Sequence, residues 1–327
     1  MATGRRVTVL AGGFGGAKLS HGLVLASSVA EGRGEPPIEL SIVANTGDDM
    51  ELHGLSVSPD LDTLLYTLAG LANEQTGWGV RDETWSSAGM LARFGAPTWF
   101  RLGDRDLGTN LWRTARLREG QRLTDVTASL ATALDVTARL LPMTDSPVRT
   151  ELLTADGWLE FQEYFVHRHH ADAVLALRYR GVEAASPTPE VLSAIAAADL
   201  LVVAPSNPFL SIDTILALPG MVDALLGARA PVVAVSPIVG GIALRGPADR
   251  LFETLGGEAS ALGVARHYQE RYPGLVDALV IDELDAAASR PIRDLGLEVL
   301  VTGTVMRDDT HRERLAATIL DRWAPTG

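Results

Sequence analysis

The chain has 327 residues and no cysteine, and it carries 28 Lys and Arg against 41 Asp and Glu, for a net charge of −13. The length favours one large α/β domain or two smaller ones over an array of modules. The lack of cysteine excludes disulfides, Cys-ligated zinc, iron–sulfur clusters and thiol catalysis. The acidic balance disfavours nucleic acid and anionic membranes as partners, and an anionic substrate would need local cations or a metal. The first apolar run is too short for a signal segment or a membrane span, so we expect a cytoplasmic location.

The first part of the chain predicts a βαβ unit followed by a helix-rich stretch. Two short β-branched runs, 6–11 and 38–44, predict parallel strands that are covered on both faces. Helical spacing from Ala17 to about Ala30 connects them. An Asp-Gly turn within 149–165 predicts a β-hairpin after the helix-rich stretch. The helices of that stretch are predicted at 60–71, 84–94, 104–118 and 123–136.

The alternation of strands and helices resumes after the hairpin and continues to the C-terminus. We find no internal repeat and no long linker. The pattern predicts a single α/β domain over 1–327 with a Rossmann-like, doubly wound, mostly parallel sheet and a helical and hairpin insertion at about 60–170. The predicted strands are 199–204, 231–236, 276–282 and 297–302, and the predicted helices lie near 189–198, 211–226, 246–256, 258–270 and 308–323.

Polar residues collect where the predicted strands end. Ligands of open α/β sheets bind at the carboxyl ends of the strands, where the following loops converge. We therefore expect Asn45, Ser206, Asn207 and Ser236 to contribute to one nucleotide- or phosphate-binding site. The four loops are AGGFGGAK (11–18), NTGDD (45–49), PSNP (205–208) and SPIVGG (236–241).

The glycine-rich loop lies between a strand and a helix, which is a position that favours phosphate binding over a ligand-free turn. Glycines let backbone N–H groups approach phosphate oxygens, and the helix N-terminus supplies a favourable dipole. The loop matches neither common pattern: G-x-G-x-x-G from Gly13 requires glycine where Lys18 stands, and Walker A requires glycine where Ala17 stands. Lys18 either reaches a phosphate or faces solvent. The predicted phosphate contacts are Gly12, Gly13, Phe14, Gly15, Gly16 and Lys18.

Four carboxylates follow the second strand. Asp48 and Asp49 lie on a turn, and Asp60 and Asp62 lie at the start of a helix. Turn carboxylates are ordinarily solvated, and we expect Asp60 to cap the helix that begins near Leu61. Beside a phosphate-binding loop, however, carboxylate oxygens are the ligands that Mg²⁺ requires, since it takes one or two of them plus substrate phosphates. We predict magnesium ligation by Asp48 and Asp62, with Asp49 next.

Nine motifs occur in an order that closely resembles the 2-phospho-L-lactate transferase family of coenzyme F420 biosynthesis, whose members include CofD and FbiA. The resemblance covers nearly the whole chain, from about residue 7 to the last helix. Each motif alone is weakly specific, but nine in register are specific. The motifs are GGFGGAK, NTGDD, SPDLDTLLYTL, RLGDRD, LLPMTD, FQEYF, APSNP, LPGM and VSPIVGG.

The resemblance implies an activity and assigns residues to it. It implies a homodimer in which a guanosine-diphosphate-activated three-carbon acid donates its phospho-acyl unit to the terminal ribityl hydroxyl of the deazaflavin Fo. The product would be F420-0 or dehydro-F420-0, with release of GMP. The family's Fo-binding residues fall on Asp62 and Arg101, its metal aspartate falls on Asp48, and its nucleotide contacts fall on the glycine loop, Ser206 and Asn207. The sequence does not distinguish phospholactate, phosphoenolpyruvate and phosphoglycerate as the acid.

The implied reaction is a displacement at phosphorus by an alcohol, in which the protein positions the reactants and neutralises charge. The predicted catalytic residues are Asp48, Asp49 and Asp62. Magnesium on Asp48 and Asp62 would offset the diphosphate charge, and Asp49 or Asp62 would accept the hydroxyl proton. Asp62 cannot serve easily both as a close metal ligand and as a free base.

Two other classes of protein share part of this pattern. A non-catalytic, nucleotide-sugar-binding regulator of the related gluconeogenesis-factor type shares the glycine loop and the acidic loop. It is not expected to carry DLDT, RLGDRD or FQEYF, so these motifs favour the transferase. An NAD-dependent oxidoreductase requires a third glycine, which the chain lacks at position 18.

Overall fold

A computed structural model of the chain describes residues 4–244, 246–255 and 257–324. The strands, in chain order, are β1 (Arg6–Ala11), β2 (Glu39–Ala44), β3 (Met50–Leu52), β4 (Leu55–Val57), β5 (Arg139–Pro142), β6 (Arg149–Thr154), β7 (Gly157–Glu160), β8 (Ala176–Arg180), β9 (Leu200–Val203), β10 (Val232–Val235), β11 (Ile238–Val239), β12 (Ile242–Ala243), β13 (Ala278–Ile281) and β14 (Glu298–Val301).

The α-helices, in chain order, are α1 (Gly13–Gly32), α2 (Pro59–Leu68), α3 (Ser86–Arg93), α4 (Asp104–Arg118), α5 (Leu123–Ala133), α6 (Pro189–Ala197), α7 (Asp213–Leu216), α8 (Met221–Leu226), α9 (Ala248–Thr254), α10 (Ala261–Arg271), α11 (Ser289–Asp294) and α12 (Asp309–Trp323). Two short π-helices span Glu163–His167 and Pro208–Ile212, and two short 3₁₀-helices span Val182–Ala184 and Glu283–Ala288. No helix of the described residues is long and apolar enough to cross a membrane.

The main sheet has seven strands in the order β14-β13-β10-β9-β1-β2-β5, and every pair is parallel. The chain starts at β1, moves outward through β2 to β5, and then returns to the other side of β1 at β9. This is the doubly wound order of a Rossmann-like fold, and it confirms the predicted fold class. The order reverses between β1 and β9, which is the position where such sheets bind ligands.

The strands are buried on both faces, which explains their continuous apolar sequences. Leu10 and Val43 belong to one core cluster, on the side that includes α6, α8 and α10. Val9 and Ile42, their neighbours in the chain, belong to the second cluster with α1, α2 and α12. The sheet is therefore covered on both sides, and its carboxyl edge is left for the loops.

Several elements differ from the sequence prediction. The hairpin predicted over 149–165 ends at Glu160, because the chain turns into a helical segment, in which Phe161 stacks on Phe165 of the π-helix with ring centroids 5.3 Å apart. Strand β8 pairs with the other side of β6 and was not predicted. Strand β5 was not predicted either; it lies within the predicted insertion, yet pairs with β2 in the main sheet.

The helix predicted over 211–226 is interrupted. The break falls at 217–220, between α7 and α8, where Gly220 has a φ of +83° that glycine adopts without strain. The helix predicted over 246–256 corresponds to α9, and residue 256 lies outside the described residues. Helix α1 begins at Gly13 rather than at Ala17, so the glycines form its first turn.

Candidate active site

The ends of β1 and β9 are joined by the side chain of Ser206. Its hydroxyl accepts a hydrogen bond from the Gly12 N–H at 3.0 Å and lies 2.7 Å from the Gly12 carbonyl oxygen, to which it donates. Asn45 follows the neighbouring strand β2 and is fully buried. The structure thus brings Gly12, Asn45 and Ser206 together at the switch point, as predicted from the strand order.

The glycines of the loop allow α1 to pack closely against other parts of the chain. A Cβ atom on Gly15 would overlap the backbone carbonyl of Pro205, and one on Gly16 would lie 2.7 Å from Ser206 Oγ. The Gly13 N–H donates to Asp60 Oδ1 at 2.7 Å. The N–H groups of Gly12 and Gly13 both donate to side chains of the protein, and the phosphate contacts predicted for these two residues stay predictions.

Three other residues predicted to contact phosphate have local partners. The Lys18 ammonium lies over the Phe14 ring, 4.6 Å from its centroid, and donates to the Met306 carbonyl oxygen at 2.6 Å. Lys18 therefore ties α1 to the loop before α12, a contact that the sequence did not indicate, and its contact with phosphate stays a prediction. The Ser236 hydroxyl donates to the Ile238 carbonyl oxygen at 2.9 Å and closes its own turn.

Asn207 also has a structural role. Its side-chain oxygen accepts the N–H groups of Phe209 and Leu210 at 3.0 and 3.1 Å. This contact caps the π-helix over Pro208–Ile212, which begins directly after the loop. The side-chain oxygen of Asn207 is thus committed to the backbone.

Asp60 is the central residue of the site, and the sequence prediction of its role was wrong. Pro59 starts α2, with Ser58 at the N-cap position, because proline suits the first helical position and has no N–H to satisfy. The Asp60 carboxylate turns toward α1 instead. It accepts from the Gly13 N–H, and from Asn45 Nδ2 at 2.9 Å.

Asp48 and Asp60 form what we call the acidic pair. The Asp60 N–H donates to Asp48 Oδ2 at 3.1 Å, and Asp48 is 4% exposed. The other oxygen, Asp48 Oδ1, is buried and has no hydrogen-bond partner among the described residues. Burial raises the pKa of Asp48 well above its usual value, and repulsion from Asp60 and Asp49 adds to the shift.

Asp49 lies beside the acidic pair and carries a second unused oxygen. Ser58 Oγ donates to Asp49 Oδ2 at 2.9 Å, while the buried Oδ1 has no partner among the described residues. Burial raises the pKa of Asp49 to about 7, against the opposing attraction of Arg149 and Arg113. Buried acids with shifted pKa values are typical of functional sites.

Gln162 is a site residue that sequence reasoning did not identify. It precedes the π-helix over Glu163–His167, is 5% exposed, and donates through Nε2 to the Asp48 carbonyl oxygen at 3.2 Å. The motif FQEYF was recognised as part of the family pattern, but no role was assigned to its glutamine. Nothing in the local sequence relates Gln162 to a turn more than a hundred residues earlier, because the contact depends on how the hairpin packs.

Asp62 is held by Arg113. Both of its carboxylate oxygens accept from the Arg113 guanidinium, Oδ2 at 3.1 Å and Oδ1 in a shorter contact. Both oxygens of Asp62 therefore already face a cation, and magnesium ligation by Asp62 stays a prediction. The unpartnered oxygen belongs to Asp48 instead, and its carboxylate neighbour is Asp60.

Arg101 lies in the helical insertion and is exposed. Its guanidinium carbon is 4.4 Å from the ring centroid of Trp85, which directly precedes α3. The contact is a cation–π interaction between two loops of the insertion. Arg101 is thus available to a ligand that approaches from solvent.

The acidic pair fits a divalent cation in part. Within the described residues no group of three or more His, Cys, Asp or Glu side chains is arranged to hold a metal ion. Magnesium, however, needs only one or two carboxylates when substrate phosphates and water supply the rest. The buried, unpartnered Asp48 Oδ1 beside Asp60 is a donor atom of that kind.

The fold and the site define the class of this protein: a Rossmann-like α/β protein whose polar site lies at the switch point of its parallel sheet. A family model described as 2-phospho-L-lactate transferase CofD matches residues 7–300, and the chain belongs to this family. It is therefore a transferase of the CofD type, as the sequence motifs predicted.

Curated relatives support this assignment, and a solved structure supports the fold. The chain is 41% identical to a phosphoenolpyruvate transferase of Kitasatospora aureofaciens, over 96% of this chain and 97% of the relative. It is 42% identical to proteins of the same name from Streptomyces griseus, over 97% and 98% of the two chains, and from Mycobacterium avium, over 86% and 89%. A crystal structure of a UPF0052 family member from Bacillus halodurans matches with a TM-score of 0.66 over 98% of this chain and all of the other, at 14% identity, which supports the fold alone.

Proposed function

We propose that the protein transfers the enolpyruvyl phosphate unit of guanylylated phosphoenolpyruvate to the terminal ribityl hydroxyl of the deazaflavin Fo, in coenzyme F420 biosynthesis. The observation that carries the proposal is the buried acidic pair, Asp48 and Asp60, at the switch point of a sheet in the CofD family. The names of relatives 41% and 42% identical to this chain favour phosphoenolpyruvate over the other two acids.

The bond changes are simple. The acceptor hydroxyl oxygen attacks the phosphorus that bears the enolpyruvyl group, and the bond from that phosphorus to the GMP oxygen breaks. A phosphodiester forms, GMP leaves, and the hydroxyl proton passes to a base. The protein has to orient the two substrates in line and offset the charge at phosphorus.

We propose that Asp48 and Asp60 hold a magnesium ion, which would supply charge neutralisation to the diphosphate. Asp48 contributes its unpartnered Oδ1, and Gln162 fixes the turn by donating to the Asp48 carbonyl oxygen. The sequence predicted Asp62 in place of Asp60, and the contact of Asp62 with Arg113 is our reason for the change. A net charge of −13 makes a local cation necessary for binding an anionic donor.

The acceptor side is assigned to Asp62 and Arg101, as the family resemblance implies. Asp49 is the base that we propose for the hydroxyl proton, because its Oδ1 is unpartnered whereas both oxygens of Asp62 contact Arg113. Arg101, held on Trp85 at the surface, offers a planar cation to the deazaflavin or to the carboxylate of the acid. We also propose a homodimer, which light scattering of the purified protein tests.

The test is product analysis with three donors. The purified protein is incubated with Fo, Mg²⁺ and the guanylylated form of phosphoenolpyruvate, phospholactate or phosphoglycerate, and product masses are read. We expect dehydro-F420-0 and GMP, formed fastest from the phosphoenolpyruvate donor. A faster reaction with phospholactate would contradict the assignment of the acid, and absence of product with every donor would contradict the transfer itself.

A variant of the acidic pair tests the metal assignment. Asp48→Ala is expected to abolish magnesium-dependent transfer and to leave the fold intact, because the carboxylate contributes little apolar packing. Asp156→Ala removes a carboxylate from the hairpin turn, where Asp156 pairs with Arg168 at the surface, and is the matched control. Near-normal turnover of Asp48→Ala would rule out Asp48 as a metal ligand.

A further inference from the structure

A buried ionic network connects α2, at the edge of the acidic pair, to α4 of the helical insertion. Its centre is Arg113, which is 1% exposed although it carries a charge. Besides Asp62, the Arg113 guanidinium donates to Asn110 Oδ1 at 2.8 Å and to the Ser56 carbonyl oxygen at 3.3 Å. Arginine is almost never buried to this extent unless it is paired.

The network follows from helical spacing. Asp106, Asn110 and Arg113 are four and three residues apart and therefore lie on one face of α4. Asp62 and Tyr66 are four residues apart and face them from α2. The two helices thus meet through the hydrogen bonds of Arg113 to Asp62 and of Tyr66 to Asp106, in a region where apolar side chains would be the ordinary choice.

A structural role alone does not explain this arrangement well. A buried ion pair is replaced by a well-packed apolar pair with little loss, and often with a gain, in stability. What a guanidinium adds is orientation: two parallel N–H donors fix the plane of a carboxylate. A carboxylate has about four acceptor sites, of which Arg113 uses two and the Ser58 backbone a third, so the fixed carboxylate still has room for a hydrogen bond from a ligand.

We propose that Arg113 is a positioning residue for the acceptor substrate, because it fixes the Asp62 carboxylate in the orientation that receives a hydroxyl group. The ligand class is a polyhydroxylated acceptor such as the ribityl chain of Fo. This inference rests on the proposed function, in which Asp62 contacts the acceptor. Arg113 acts through Asp62 and does not itself touch the reacting atoms.

The test compares Arg113→Lys, Asp62→Asn and the double variant with the wild type. Lysine keeps the buried positive charge, so we expect Arg113→Lys to fold. It cannot form the bidentate pair of parallel hydrogen bonds with the Asp62 carboxylate. We expect it to raise KM for Fo by about tenfold or more, and to leave KM for the donor within about twofold. The matched control is Arg116→Met on the same helix, since Arg116 contacts Trp112 and Glu119 at the surface.

Two further measurements separate positioning from stability. If Arg113 acts through Asp62, adding Arg113→Lys to Asp62→Asn lowers kcat/KM for Fo no further. Additive effects, equal losses for donor and acceptor, or a lower urea midpoint with an unchanged Kd for Fo would each overturn the inference. The Kd is measured by Fo fluorescence without donor. If the wild type binds Fo but makes no product, the proposed function is contradicted, and the comparison of Kd values still decides the role of Arg113. If the wild type does not bind Fo, both proposals are overturned.

Discussion

Replacing Asp106 by asparagine is expected to stabilise the protein at alkaline pH. Asp106 is 9% exposed, and its Oδ1 accepts from the Tyr66 hydroxyl at 2.9 Å. Burial and the charge of Asp62 raise the pKa of Asp106 from the usual value of about 4 for an aspartate to about 7. An asparagine oxygen can still accept from Tyr66, so the substitution removes a buried charge and keeps that hydrogen bond.

The sign and size of the effect follow from proton linkage. Between pH 4 and 7 the folded state holds a proton on Asp106 that the unfolded state has released. The contribution of this group to the free energy of unfolding therefore decreases as pH rises through that window and stays low above it. A shift of about three pKa units corresponds to about 4 kcal/mol at 1.36 kcal/mol per unit. Asp106→Asn should thus gain at most about 4 kcal/mol over the wild type at pH 8, with the gain vanishing near pH 4.

The assay is urea denaturation followed by tryptophan fluorescence at pH 5, 6, 7 and 8. The difference in the free energy of unfolding between Asp106→Asn and the wild type should widen steadily up to pH 7 and then level off. Asp125→Asn removes an exposed charge from α5 and serves as the control, with a difference that does not change with pH. A difference for Asp106→Asn that is constant over this range, or a loss of stability at pH 8, would refute the reasoning.

Three other substitutions test the packing and polar contacts of the site. Gly15→Ala places a methyl group against the carbonyl of Pro205 and should cost about 1–3 kcal/mol of unfolding free energy in urea. Lys18→Met should leave kcat/KM within about threefold and lower stability by about 1 kcal/mol, because its ammonium bonds to a backbone carbonyl rather than to substrate. Gln162→Leu, which removes a donor from the turn of the acidic pair, should lower transfer activity about 10- to 100-fold at subsaturating Mg²⁺.

Each of these three substitutions has a control or an outcome that would contradict its explanation. The control for Gly15→Ala is Gly108→Ala, on α4 with open space around it, which should raise the free energy of unfolding by about 1 kcal/mol. If Gly108→Ala instead lowered the free energy of unfolding as much as Gly15→Ala does, the packing explanation would be contradicted. A hundredfold decrease of kcat/KM in Lys18→Met would indicate that Lys18 binds a phosphate of the substrate. An unchanged Mg²⁺ dependence in Gln162→Leu would remove Gln162 from the metal site.

The sequence predicted the main sheet because buried parallel strands leave a clear signal. The apolar runs at 6–11 and 38–44 correspond closely to β1 and β2, and the later runs to β9, β10, β13 and β14. Strand β5 was missed because it has only four residues and ends in Pro142. Proline in a sequence is typical of loops, although an edge strand tolerates it. Strand β8 was missed because, although its apolar or aromatic side chains alternate with arginines, no turn in the sequence links it to its partner β6.

The polar contacts of the site were harder to predict than its location. Strand ends placed Asn45, Asp48 and Ser206 at one edge without any side-chain geometry. The sequence could not indicate that the space left by Gly15 and Gly16 is filled by the loop after β9, about 190 residues away. A glycine in such a loop indicates that another group packs closely against the backbone, but it does not indicate whether that group is a phosphate or a backbone carbonyl.

The same limit explains why the sequence favoured Asp62 as a metal ligand, whereas we propose Asp60. Both stand in the first turn of one helix, and local rules make either a cap or a ligand. What separates them is a partner on a distant element: Arg113 for Asp62, and the Gly13 N–H with Asn45 for Asp60. Asp48 is left with an unpartnered buried oxygen beside Asp60, at a cost in stability that a cation would relieve. The burial of this unpartnered oxygen, with Asp60 beside it, is therefore the physical reason to expect that a divalent cation binds there, and that its binding raises the free energy of unfolding.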